Sequence, residues 1–255
     1  MREPRRSFRR DQQDEPVLLY GIHAVEAALR NPARAIGKLY LTENAERRLA
    51  EVILERGVMP ERVIPRDLDR RLGPDTVHQG ALLETEPLPE HTLEDLVART
   101  EAGPIVVLDQ VTDPHNVGAV LRSAAAFGAA GLVMTRRHSP PLTGTLAKSA
   151  SGALELVAIA LVPNLARALA ELGELGCTRI GLDGTGPGLI EEEPLTGAVA
   201  IVLGAEGKGL RQLTRESCDR LCRIVTPGPL SSLNVSNAAA VVLHLGAMRR
   251  QRLAM

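Results

Sequence analysis

The chain is nearly devoid of aromatic side chains: Phe8, Tyr20, Tyr40 and Phe127 are the full set, and tryptophan is absent. A protein that reads single-stranded nucleic acid by stacking bases on rings needs more than this, so such a platform is excluded. Cysteine is almost as scarce. Cys177, Cys218 and Cys222 are odd in number and lack a zinc-like spacing, which argues for reduced thiols and against a disulfide framework or a structural metal. Long apolar runs are also missing. The longest, 105–108 and 199–203, fall far short of the roughly 20 residues a membrane-spanning helix needs, and the arginine-rich first residues do not form a secretory signal. These absences lead to the expectation of a cytoplasmic protein that avoids membranes.

What is present is charge, balanced in total but not in place. The net charge is −1, yet the first ten residues carry five arginines against Glu3, and 211–252 holds seven arginines against Glu216 and Asp219. Both clusters are candidate phosphate contacts, or else a solvated helix face and a disordered tail.

Residues 1–15 have little to bury and are expected to form a disordered basic tail. Over 16–88 the apolar spacing predicts a small α/β unit with helices at 21–29 and 45–56 and strands at 38–42, 63–64 and 81–83. Pro87 and Pro89 then break the chain, and 89–102 reads as a charged helical linker. From 103 to 255 strand-like runs at 104–108, 131–135, 179–182, 198–203 and 222–225 alternate with helical ones near 117–127, 165–175 and 235–251. Such alternation predicts a mostly parallel sheet covered by helices on both faces, with a ligand above the carboxyl ends of its strands.

Three segments in that half concentrate the chemistry. Asp113-Pro-His-Asn-Val-Gly-Ala-Val-Leu-Arg-Ser-Ala124 makes a turn into a helix that Asn116 caps or nearly caps, and it places Arg122 in an otherwise small, apolar run where a guanidinium needs a partner. Leu203-Gly-Ala-Glu-Gly-Lys-Gly-Leu-Arg211 follows an apolar strand, and its glycines let the backbone approach a ligand, although it fits neither the dinucleotide nor the phosphate-loop pattern. Ser231-Ser-Leu-Asn-Val-Ser-Asn237 opens a long helix, and capping accounts for one of its polar residues but hardly for four within seven positions.

In this order the segments resemble the three signature motifs of the SpoU, or TrmH-type, branch of the SPOUT RNA methyltransferases. The resemblance implies a deep C-terminal trefoil knot in the α/β domain, a fold that topology alone disfavours. It implies S-adenosylmethionine as cofactor, no metal, and methylation of a ribose 2′-hydroxyl. Carried over position by position, it assigns Asn116, Arg122, Glu206, Ser232 and Asn234 to catalysis, and Gly204, Ile224 and Leu233 to cofactor contacts made mainly by backbone groups. A guanidinium stays protonated at neutral pH, so Arg122 is expected to polarise the hydroxyl first and accept its proton second. The segments 20–29 and His78-Gln-Gly80 resemble the N-terminal substrate-binding domain of the subgroup that methylates guanosine 2251 of bacterial 23S rRNA. The stretch Lys148-Ser-Ala-Ser-Gly-Ala-Leu-Glu155 is looser than the family form. The partners implied are rRNA and a second copy of the chain, docked through the final helix at Val241, Val242, Leu245 and Met248. Two other classes fit parts of the pattern: a non-catalytic RNA-binding ribosome-assembly factor, and a small-molecule α/β enzyme. A related 2′-O-methyltransferase acting on another rRNA or tRNA nucleotide is also compatible.

Overall fold

The computed structural model describes residues 16–229 and 232–253; the basic tail expected over 1–15 lies outside the described residues. The first unit holds β1 (Val17–Tyr20), α1 (Ile22–Arg30), β2 (Ile36–Leu41), α2 (Glu43–Arg56), β3 (Glu61–Arg62), α3 (Pro65–Leu72) and β4 (Ala81–Thr85). Its four strands order as β1-β4-β2-β3. Strand alternation sorts the side chains: Leu39, Leu41, Ala81 and Leu83 face a core shared with α1 and α2, while Tyr40 and Leu82 pack on Leu68 of α3. The sequence reading had no α3, and it placed β3 two residues late.

Next come α4 (Leu93–Val97), β5 (Ile105–Asp109), α5 (Pro114–Phe127), β6 (Gly131–Thr135), α6 (Gly144–Ala150) and, after a 3-10 turn at Ala153–Glu155, β7 (Ile159–Val162). Then follow α7 (Leu165–Glu174), β8 (Thr178–Leu182), β9 (Gly188–Leu189), β10 (Val199–Gly204), α8 (Gln212–Glu216), β11 (Arg220–Arg223) and α9 (Val235–Leu253). Seven strands form one sheet, ordered β7-β6-β5-β10-β8-β11-β9, and every pairing in it is parallel. The strands β5, β6 and β10 are apolar along nearly their whole length because both faces are covered. Val106, Leu108, Ile201 and Leu203 point toward α5 and α9, whereas Ile105, Val107, Ala200 and Val202 point toward α4 and α7.

The stretch expected as a linker is in part a packed element. Leu93 and Leu96 of α4 are buried in the second core, and a Cβ on Gly131 would lie 2.7 Å from the Ala158 carbonyl oxygen as well as 2.4 Å from a Leu96 methyl. The charges of Glu94 and Asp95, which suggested a solvated connector, sit on the outer face of this short helix.

Candidate active site

The strands β8, β10 and β11 deliver three loops to one end of the parallel sheet, and a cavity of about 700 Å³ opens between them and the start of α9. Loop 205–209 forms one wall. It is held shut by the Gly209 amide on the Ala205 carbonyl at 2.9 Å, and Gly204 lies so close to Gly209 that a Cβ would sit 2.2 Å from the Gly209 carbonyl carbon. Gly207 and Gly209 take φ values of 73° and 65°, a left-handed backbone that glycine adopts without strain. The far end of this loop is anchored by Asp109, fully buried at the end of β5, which accepts the Arg211 amide at 3.0 Å and its Nε at 2.7 Å.

Segments one, two and three meet at the mouth of the cavity. Asn116 Nδ2 donates to Glu206 Oε1 at 3.3 Å, Asn234 Nδ2 donates to Asn116 Oδ1 at 3.1 Å, and the same Asn234 amide reaches Glu206 Oε1. Asn234 also caps α9, its Oδ1 accepting the Ser236 amide at 2.8 Å and the Ser236 hydroxyl at 2.6 Å. One side chain thus starts a helix and joins the site. Gly204, Ile224, Ser232 and Leu233 line the cavity beside Glu206 and Asn234.

Arg122 stands apart. Six residues along α5 from Asn116, it is displaced by roughly 9 Å and about a third of a turn, is exposed, and is not part of the cavity lining. The partner that a guanidinium in a small, apolar run was expected to need is not found among the described residues: the neighbouring Ala119, Ala125 and Ala126 are partly solvent-facing, and no ion pair holds Arg122. Asn116 is not the cap of α5 either. That role belongs to Asp113, whose carboxylate accepts the His115 amide at 2.9 Å, leaving Asn116 free to turn toward the site.

The C-terminal arginines are mostly engaged within the chain. Arg211 pairs with Asp109, Arg215 with Asp183 and Arg220 with Glu193, while Arg223 donates to the Gly186 and Pro187 carbonyls. Arg249 binds the Glu191 carbonyl and Arg250 the Phe127 carbonyl, and burial pulls the Arg250 guanidinium below its ordinary pKa. Six of the seven therefore have partners within the chain, while Arg211, Arg220 and Arg223 remain exposed at the surface.

Residues not singled out from the sequence complete the cavity: Asp183, Thr185, Arg215, Cys222 and Thr226. Burial opposes ionisation of Asp183, but the Thr185 hydroxyl and amide together with Arg215 outweigh it and hold the carboxylate below its usual range. Burial, reinforced by Glu193, pushes the Cys222 thiol up to about 11, so this part of the wall is neutral. A charged residue at the carboxyl end of an otherwise apolar parallel strand, as at Asp109, or just beyond one, as at Asp183, was the signal that could have found them.

Residues 103–244 match the SpoU rRNA Methylase family, and residues 18–91 match the family described as RNA 2'-O ribose methyltransferase substrate binding. The chain belongs to the SpoU rRNA methylase family. It is 43% identical over 244 residues to the 23S rRNA (guanosine-2'-O-)-methyltransferase RlmB of Vibrio cholerae, covering 93% of this chain and 98% of that one. The protein of the same name from Pseudomonas putida is 39% identical over 241 residues, covering 91% and 96%. Among solved structures, the SpoU methyltransferase AviRb from Streptomyces viridochromogenes in complex with the cofactor AdoMet superposes with a TM-score of 0.77 at 26% identity, covering 93% of this chain and 90% of that one. Family membership makes the fold a SPOUT-type α/β domain with an N-terminal substrate-binding unit.

Proposed function

We propose that this chain transfers a methyl group from S-adenosylmethionine to the ribose 2′-oxygen of a guanosine in 23S rRNA. The observation that carries this reading is the convergence of Asn116, Glu206 and Asn234, from three distant segments, at the rim of a glycine-walled cavity. The likeness to 23S rRNA (guanosine-2'-O-)-methyltransferases over nearly the whole chain supports the substrate class. Within that class, guanosine 2251 is the target we assign.

The cavity suits the cofactor. It offers the backbone of the 204–209 loop, which closes so tightly on Gly209 that no side chain fits at Gly204, and the apolar surfaces of Ile224 and Leu233. When bound, S-adenosylmethionine supplies a methyl group already activated by its sulfonium, so the protein's task is alignment and handling of one proton. Gly204, Ile224 and Leu233 hold the cofactor, mainly through backbone groups. Asn116, Ser232 and Asn234 orient the ribose, and Glu206 fixes both asparagine amides through one carboxylate oxygen. Arg122 polarises the 2′-hydroxyl and, with an RNA phosphate, assists loss of its proton.

Because Arg122 lies outside the cavity lining, the working unit we infer is a homodimer, with sites near the interface. The outward face of α9 supports it, though with a different composition from that read in the sequence: Val241 and Met248 are 37% and 39% exposed, whereas Val242 is buried and Leu245 half-buried. Asn237 and His244 complete the exposed stripe, and His244 packs on Phe127 of α5. The division into a substrate-binding unit over 16–88 and a methyltransferase domain over 103–255 follows the two sheets. A C-terminal knot is supported by strand order, since β11 lies between the earlier strands β8 and β9, and the loop joining those two must cross it. No described helix is long and apolar enough to cross a membrane. The likeness to 23S rRNA methyltransferases supports the cytoplasm as the place of work.

Mapping ribose methylation across 23S rRNA from a strain lacking the gene tests the assignment. A single lost methyl group at guanosine 2251, restored by the wild-type gene but not by an Asn234→Ala copy, is expected. An unchanged methylation map would overturn it.

A further inference from the structure

One polar cluster belongs to none of the roles above. Arg34, on the turn after α1, and Glu155, on the 3-10 turn after α6, form an ion pair whose side chains are 1% and 3% exposed. The pairing is bidentate, with Nη2 to Oε1 at 2.5 Å and Nε to Oε2 at 3.2 Å. Arg34 Nη1 donates to the Glu86 carbonyl at 2.9 Å, where the first unit ends, and Asn31 Nδ2 donates to Glu155 Oε2 at 2.8 Å. A buried charge is tolerated only when it is this fully partnered, and removing one member leaves the other stranded.

The pair sits at the seam between the two units, and the surrounding packing is close. A Cβ on Gly144 would lie 2.2 Å from the Tyr20 ring, and one on Gly152 would lie 2.8 Å from Ala27 Cβ. Tyr20 and Thr145 share a hydroxyl contact at 2.9 Å, and the apolar core runs without a break from Leu19 and Val25 through Leu146 to α5. On its other side α6 presses on α5: a Cβ on Gly118 would lie 2.5 Å from Ser149 Cβ, and Ser149 Oγ meets His115 Nδ1 at 3.1 Å, one residue before Asn116. Domains in one chain ordinarily move against each other unless the interface is extensive and apolar. Here α6 is a strut with the substrate-binding unit on one side and the helix carrying Asn116 on the other.

We propose that Arg34 and Glu155 are positioning residues that lock the substrate-binding unit onto α6, so that RNA held by residues 16–88 presents its ribose to Asn116 at one fixed separation and angle. This rests on the rRNA methylation reading. A displacement of about 1 Å at a reacting centre lowers the rate about a hundredfold, so a loosened seam costs turnover without costing binding.

The test uses the full-length protein with a 23S rRNA fragment as substrate. Glu155→Gln and Arg34→Lys are expected to broaden the interdomain distance measured by small-angle scattering. They should lower single-turnover rates at saturating RNA by about tenfold to a hundredfold, with RNA and cofactor affinities within about twofold of wild type. The double variant Arg34→Met with Glu155→Met fills the seam without charge and is expected to restore the rate to within about threefold. If the single variants do not fold, Tyr20→Phe with Thr145→Val loosens the rim of the seam and should slow the same step about threefold. Unchanged rates in folded variants would overturn the proposal, as would a loss of RNA affinity in place of rate. Failure of the wild-type protein to methylate the fragment would strike the functional reading itself, whereas active wild type with indifferent variants strikes only the lock.

Discussion

Gly118→Ala adds a single methyl group at the tightest helix contact near the site. Its Cβ would lie 2.5 Å from Ser149 Cβ, 2.8 Å from the Ser149 carbonyl carbon and 2.9 Å from the Ala150 nitrogen. Carbon atoms rest at about 3.5–4.0 Å, so α5 and α6 must part by about 1 Å. Two of the three obstructing atoms are backbone and cannot rotate aside, and α6 is blocked behind by Tyr20 at Gly144. Overpacking of this kind costs about 1–3 kcal/mol. Alanine's better helix propensity returns about 1 kcal/mol, leaving a net loss of about 1 kcal/mol. For a chain of this size that lowers Tm by about 2–4 °C. Asn116 lies two residues before Gly118, so the same shift should lower methyl transfer on the order of a hundredfold. Differential scanning calorimetry and single-turnover transfer from tritiated S-adenosylmethionine read the two effects. A variant with wild-type Tm and wild-type rate would refute the claim that this contact sets the position of Asn116.

Arg122→Ala, at an exposed position, should leave Tm and cofactor affinity unchanged while lowering single-turnover methylation by about a hundredfold or more; a near-normal rate would remove Arg122 from the mechanism. Leu96→Ala should cost about 3 kcal/mol in urea unfolding, the value of a buried leucine, whereas a true linker residue would cost almost nothing. Burial pushes the Cys218 and Cys222 thiols up to about 11 from an ordinary 9.0, so at pH 8 they should resist Ellman's reagent until denaturant exposes all three cysteines. The sign also predicts that the stability held by these neutral thiols is complete below pH 9.0 and falls as pH rises through about 11, which alkaline unfolding curves of Cys222→Ala against wild type would measure.

The strands of the seven-stranded sheet were legible where both faces are covered, because β5, β6 and β10 read as unbroken apolar runs. The edge strands β7 and β9 were not. They are four and two residues long, and nothing in so short a stretch distinguishes a strand from a loop. Helix α6 was missed for a related reason: its residues are small and mixed, and what makes it a helix is the pressure of β1 and α5 from two sides. Among site residues, Asn116, Glu206 and Asn234 could be named because their segments resemble the family's motifs; taken alone, each also reads as a helix cap or a glycine turn. Their mutual contacts could not be foreseen, since sequence separations of 90 and 118 residues are closed only by the fold. The exposure of Arg122 and the partners of the C-terminal arginines were not legible, because a one-dimensional neighbourhood does not say which side of a helix faces water.

The dual duty of Asn234 bears on timing. Its side chain initiates α9 and completes the polar cluster, so the centre has no partly built form that lacks the final helix. A chain without β11 and α9 has the substrate-binding unit in full and most of the sheet, yet neither the far wall of the cavity nor the third member of the cluster. Competence therefore arrives in one step, when α9 starts on Asn234, and not by degrees as the sheet grows.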